Sequence, residues 1–209
     1  MTRAAALSML AALSLGACAP DKPGNDKTGH DNTAMAREAE ARSEILADRF
    51  QKELLTALTA AMEAEGPEGA IGVCASIAPA LAVQLSEESG ASVRRTALRT
   101  RNLAAKADAT EQRVMEGWSS APLDENGSPK RWVAHEGGEY RYMRAIPTMP
   151  MCLACHGQNI APEVTAEIRK HYPEDQATGF AQGQLRGTFS IRWDEAALSR
   201  AMSNGEARP

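Results

Sequence analysis

The stretch Arg131-Trp-Val-Ala-His-Glu-Gly-Gly-Glu-Tyr-Arg-Tyr-Met-Arg-Ala-Ile146 decides the fold class. Arg131 to His135 and Tyr140 to Ile146 have strand character, and Glu136-Gly137-Gly138-Glu139 lies between them. Paired glycines accept the positive φ angles of a tight turn, so the chain doubles back and the two runs pair antiparallel. Further on, Gly187 to Trp193 alternates, with Phe189, Ile191 and Trp193 expected inward and Thr188, Ser190 and Arg192 outward. Upstream, Ser92 to Arg101 reads as another strand, whose alternation would place Val93, Arg95, Ala97, Arg99 and Arg101 on one side.

Helical periodicity surrounds these strands. Leu46, Phe50, Leu54, Leu58 and Met62 recur every four positions, which predicts a long helix from Met35 to about Glu65, ended by Gly66-Pro67. A second helix is expected from Glu68 to Glu88, with Ile71, Cys74, Ile77, Ala78, Leu81 and Leu85 on one face and Gly90 as its stop. Cys74 should therefore point at the core. Asp108 followed by Glu111 resembles the capped start of a helix running to Trp118. Pro162 to His171 and Asp194 to Met202 complete the helices. Strands among helices in this order, with a hairpin at the centre, predict an α+β domain built on an antiparallel sheet behind long N-terminal helices.

The N-terminus sets the expected compartment. Arg3 precedes an apolar run, Ala4 to Gly16, too short to span a bilayer and suited to a signal-peptide core. Leu15-Gly16-Ala17-Cys18 resembles a bacterial lipoprotein box, so Cys18 is expected to carry a lipid. Ala19 follows it in place of an inner-membrane-retaining Asp, favouring the outer membrane. Ala19 to Thr33 is polar, with two Pro and two Gly, and reads as a tether. The expected organisation is a signal peptide over 1–17, a lipidated cysteine and tether over 18–33, and a single domain over 34–209. No later segment approaches transmembrane length. Without the signal, 22 basic residues face 27 acidic ones, and this mild acidity argues against nucleic acid.

Cys152-Leu-Ala-Cys155-His156 reads C-x-x-C-H, the attachment signature of a c-type haem. Two thiols three positions apart share one side of a helical turn, where both can add to the vinyl groups of one porphyrin. The adjacent His156 can then give the iron a proximal imidazole. A structural zinc site would want a second ligand pair at similar spacing, which the chain does not offer. A thioredoxin-like dithiol should follow a strand of a βαβ unit, and Thr148-Met-Pro-Met151 is no such strand. The expected cofactor is one covalent haem c. With Cys18 assigned to lipid and the motif cysteines to haem, only Cys74 of the four cysteines is left over, so no disulfide framework is expected.

Ile71-Gly-Val-Cys74, Val93-Arg-Arg-Thr-Ala-Leu-Arg-Thr-Arg-Asn102, Cys152-Leu-Ala-Cys-His-Gly157 and Tyr172-Pro-Glu-Asp-Gln-Ala-Thr-Gly179 occur in this order. Together they resemble a family of single-haem c-type periplasmic domains, often catalogued as being of unknown function, with a PAS-like fold. The resemblance covers roughly Met35 to Trp193. Leu103 stands where that family often has Pro, and Phe180 where it often has Tyr.

Residue types alone leave Met143, Met149, Met151, His135, His171 and Cys74 as candidates for the sixth iron ligand. The resemblance implies Cys74, since a cysteine on the second helix is the distal ligand in that family. A thiolate there would stabilise ferric over ferrous iron and lower the potential, and its release on reduction would free a coordination position. Arg95, Arg99 and Arg101 are candidates for binding the haem propionates through paired hydrogen bonds. The expected function is that of a lipid-anchored periplasmic mono-haem cytochrome, in electron transfer or in redox or gas sensing. Its partners would be a separate redox or signalling protein, the membrane through the lipid, and a small gaseous ligand. The alternative is a haem enzyme such as a peroxidase, which needs an opening distal site and a base above it. No His and Arg pair is assigned to that role.

Overall fold

The computed structural model describes residues 27–119, 124–125 and 128–203; the expected signal peptide, Cys18 and the tether as far as residue 26 lie outside the described residues. Helix α1 (Lys27–Ser89) consists of two helical segments meeting at Gly66, where φ is 72° and ψ −175°. That backbone conformation is essentially confined to glycine, so the break expected at Gly66-Pro67 is a sharp kink. The helix begins at Lys27, ahead of the expected Met35. In its first segment Leu46, Phe50 and Leu54 are buried, whereas Leu58 and Met62, nearer the kink, are half-buried. Although no transmembrane length was expected after the signal, α1 contains a stretch long and apolar enough to cross a membrane. The second segment turns Ile71, Leu81 and Leu85 of its apolar residues into the domain, where they are buried.

Strand β1 (Ser92–Thr96) follows, then α2 (Ala109–Ser119), a short pair β2 (Asp124–Glu125) and β3 (Ser128–Pro129), and the hairpin strands β4 (Arg131–Glu136) and β5 (Glu139–Pro147). After the C-x-x-C-H segment, with its four-residue helix α3 (Leu153–His156), come α4 (Pro162–His171), β6 (Leu185–Asp194) and α5 (Glu195–Ser203). The main sheet has four strands in the order β1-β6-β5-β4, antiparallel at every pairing. The turn between β4 and β5 places Gly137 and Gly138 at φ 62° and 79°, the geometry for which two glycines are suited.

One sheet face packs on α1. Phe50 and Leu46 meet Tyr142, Phe189, Ile191 and Trp193 in the main core, and the Trp193 indole N–H donates to Ser43 Oγ at 3.0 Å. Each fully buried side chain of this size contributes about 1.5–3 kcal/mol. At the edge, Glu44 of α1 accepts from Arg131, Tyr142 and Arg144, which pins the helix across β4 and β5. The second face departs from the expectation that Thr188 and Ser190 point outward to solvent. Both are buried, because Val114 and Met115 of α2 cover the centre of the sheet together with Met143 of β5. The pleat alternates as expected, but both faces are covered.

α2 carries the expected cap: Asp108 Oδ1 accepts from the Glu111 backbone N–H at 2.8 Å, and Glu111 Oε2 accepts from the Asp108 N–H at 2.8 Å. Strand β1 is shorter than the expected Ser92–Arg101. Past Thr96 the chain turns away, because Asn102 caps a one-turn helix over Leu103–Ala105 and the Ala105 carbonyl accepts from both the Thr96 hydroxyl and the Ala97 N–H. Arg99 and Arg101 therefore leave the strand and find separate partners.

Candidate functional site

The C-x-x-C-H segment forms a compact turn. A single 3-10 turn over Pro150–Cys152 runs directly into α3, and Gly157 N–H closes it by donating to the Leu153 carbonyl at 2.9 Å. Both motif thiols are free and half-buried. The Cys155 carbon chain packs beside Ile71, Val164, Ile168 and Tyr172, and burial raises the pKa of its thiol. This cluster joins the motif to α4 and to the second segment of α1, which explains why Cys74, one helical turn after Ile71, faces the same region.

A cavity of about 270 Å³ lies between α1, β1, the motif and the start of β6. Cys74, Ala78 and Ala82 line it from α1, Arg95 and Thr96 from β1, and His156 from the motif. Arg101, Tyr172 and Arg186 also line it. Cys74 was expected to face the core as one of an apolar set; it is half-buried and borders this cavity.

His156 is held in a defined state. Its Nδ1 lies 2.6 Å from the Ala177 carbonyl, which makes Nδ1–H the donor and leaves the Nε2 lone pair free. Burial, with help from Arg186 and Arg101, keeps the ring's pKa well below the usual histidine value, so it is neutral, the form in which imidazole binds a metal. Phe180 meets the ring edge-on at 6.3 Å, and its backbone N–H donates to the His156 carbonyl. Arg101 supports the same unit. It donates to Asp175 through Nε and Nη2, and Nη2 also reaches the Cys155 carbonyl at 2.6 Å. Asp175 in turn accepts from the Ala177 N–H at 2.9 Å. The His156 side of the cavity is thus one hydrogen-bonded unit, Arg101–Asp175–Ala177–His156.

Of the six candidates for a second axial ligand, Cys74 shares the cavity lining with His156; the other five do not line it. Met143 is buried with Met115 under the opposite sheet face. His135 stacks on Tyr140 and pairs with Glu195 at 2.8 Å, and His171 pairs with Glu167 on the outer side of α4. The three arginines also separate. Arg95 lines the cavity with its Nε buried and unpartnered. Arg101 is committed to Asp175, and Arg99 is exposed, stacking 3.7 Å over Phe180 and donating to the Thr178 carbonyl at 2.7 Å. Sequence reading missed Arg186, whose Nε is likewise buried without a partner, and the Ala177 carbonyl. Arg186 gave no signal because it precedes the alternating run that marks β6.

These residues fit a covalent haem: a thiol pair on one turn, a neutral imidazole with a free Nε2, a further thiol on the same cavity, and buried guanidinium groups lacking an anion.

A family model described as Tll0287-like matches residues 25–193. The chain belongs to the Tll0287-like family. The Tll0287-like region takes in α1 from its start, the cavity and all four strands of the main sheet, and ends at Trp193, just before α5. Among solved structures, the chain is similar to the crystal structure of the cyanobacterial heme-protein Tll0287, with 21% identity and a TM-score of 0.50. That similarity covers 82% of this chain and 98% of the other, and it speaks for a shared fold. No curated protein matches the chain.

Proposed function

We propose that this Tll0287-like chain is a mono-haem c-type cytochrome with a PAS-like sheet, acting in electron transfer or in redox or gas sensing. Cys152 and Cys155 attach the haem covalently, His156 supplies the proximal nitrogen and Cys74 the distal sulfur. The observation that carries the reading is that Cys74 and His156 line one cavity, with His156 fixed in the tautomer that presents Nε2. The similarity to the cyanobacterial heme-protein Tll0287 supports the cofactor.

When bound, the haem supplies one-electron chemistry. The chain's own residues set the conditions for it. The Ala177 carbonyl orients His156 and increases its basicity. The Arg95 guanidinium lies beside Cys74 on the same cavity lining. Tyr172, half-buried beside Cys74, has its phenol pKa raised by burial and stays neutral. The mature chain is tethered through lipid on Cys18 in the periplasm, at the outer membrane, and passes its redox or ligation state to a separate redox or signalling protein.

Haem staining after denaturing electrophoresis tests covalent attachment; wild type should stain and Cys152→Ser/Cys155→Ser should not. Electron paramagnetic resonance of the ferric protein tests the distal ligand, since an unchanged spectrum in Cys74→Ser removes Cys74 from the iron. The midpoint potential, with carbon monoxide and nitric oxide binding, then separates transfer from sensing: a carrier keeps its ligand set in both oxidation states.

A further inference from the structure

Four arginines, Arg94, Arg95, Arg101 and Arg186, border the cavity. Arg94 pairs with Glu111 and donates to the Lys106 carbonyl. Arg101 has its counter-ion in Asp175. Arg95 and Arg186 are different: the Nε of each is buried and unpartnered, and neither forms an ion pair among the described residues. The one side-chain hydrogen bond of Arg186 is a long one, 3.4 Å from Nη1 to the Arg99 carbonyl. Their positions are linked through the sheet. β1 and β6 are adjacent strands, and Gly187 brings β6 so close that a Cβ there would sit 2.6 Å from the Thr96 carbonyl. Arg186 is the neighbour of that contact on one strand, and Arg95 on the other.

Two unpaired cations in a desolvated cavity repel each other and lose hydration, a cost that an anion would relieve. Burial and the charges of Arg95 and Arg101 lower the Arg186 pKa to about 9, consistent with a site short of negative charge. We propose that Arg95 and Arg186 form a paired receptor for two carboxylates, those of the haem propionates, replacing the Arg95, Arg99 and Arg101 set expected from the sequence. The match is one of number and chemistry. Two guanidinium forks without a carboxylate partner among the described residues match two carboxylates, each fork able to give paired hydrogen bonds. The rest of the lining includes Phe50, Ala78, Ala82 and Ile146, apolar surface suited to a macrocycle. Arg99, on Phe180 and outside the lining, and Arg101, on Asp175, are left to hold the surrounding loops. This inference rests on the proposed haem and deepens it.

The test uses the haem-loaded protein and reads the propionate bending band in resonance Raman spectra together with the midpoint potential. Arg95→Gln and Arg186→Gln should each move the band toward weaker hydrogen bonding and lower the potential, because a positive charge near the iron favours the added electron. Arg99→Gln should leave both at their wild-type values. Arg95→Lys and Arg186→Lys keep the charge but not the fork, so the band should still move while the potential stays closer to wild type; they serve also if a glutamine variant fails to fold. A wild-type band in both positions' variants, in protein that still stains for covalent haem, overturns the proposal, even if the potential falls. Wild-type protein that does not stain overturns the haem reading itself, and the receptor with it.

Discussion

Arg101 and Asp175, 74 positions apart in the chain, form an ion pair in which both side chains are more than nine-tenths shielded from solvent, with Nε–Oδ1 at 3.2 Å and Nη2–Oδ2 at 3.1 Å. The pair joins the loop after β1 to the segment that carries the Ala177 carbonyl, and so to His156.

Removing one partner should be severe. Arg101→Leu or Asp175→Leu leaves a buried charge uncompensated, and a loss of about 3–5 kcal/mol is expected in denaturant unfolding. Arg101→Lys keeps the charge without the fork and should lose less. A loss below about 1 kcal/mol for both leucine variants would show that the pair does not hold the motif.

Cys74→Ser should raise the midpoint potential. A thiolate ligand stabilises ferric iron, and a serine cannot replace it. Potentiometric titration decides the matter, and an unchanged potential would sink distal ligation by Cys74.

Asp108 caps α2 and pairs with Arg141 at 2.6 Å. Burial pushes its carboxyl up, but the bonds accepted from Glu111 N–H and Arg141 outweigh this, and its pKa falls below the usual range. A depressed carboxyl stabilises the fold above its unfolded pKa of about 3.9 and loses that contribution as pH falls through the folded value. Asp108→Ala should cost about 1 kcal/mol at neutral pH, and Asp108→Asn, still a good cap, less. The deficit of Asp108→Asn should shrink below about pH 4, when urea midpoints are compared across pH.

Gly66→Ala should destabilise by about 1–3 kcal/mol. No atom lies within 4 Å of the added Cβ, so the cost comes from the backbone alone. A thermal unfolding midpoint equal to wild type would mean that the two segments of α1 straighten or shift without penalty.

Several elements were legible in the sequence because their signals are local. The β4–β5 hairpin follows from Gly137-Gly138, the start of α2 from Asp108 and Glu111, and α4 from Pro162 at its first turn and Tyr172-Pro173 at its close. The burial of Thr188 and Ser190 was not legible, because strand alternation shows which residues share a face and says nothing of what lies above it. The extent of β1 was misjudged for a related reason. Extrapolating the strand to Arg101 placed three guanidinium groups on one side, while the Asn102 cap ends it early. Arg99 turns to the Thr178 carbonyl outside the cavity lining, and Arg101 turns to Asp175 and the Cys155 carbonyl while still bordering the cavity.

By itself, the sequence determined the spacing-dependent chemistry: a thiol pair and an imidazole within five residues, an antiparallel hairpin, and one cysteine left without an assignment. Such signals depend on neighbours within a turn or a strand repeat, which covalent connectivity already brings together. Only the tertiary structure decided that Cys74 shares a cavity with His156, that Arg101 supports the His156 segment, and that Arg186 lines that cavity with Arg95, the Nε of each buried and unpartnered. Those relationships join residues tens of positions apart, and they arise from helix packing and the β1–β6 pairing, which no local pattern encodes.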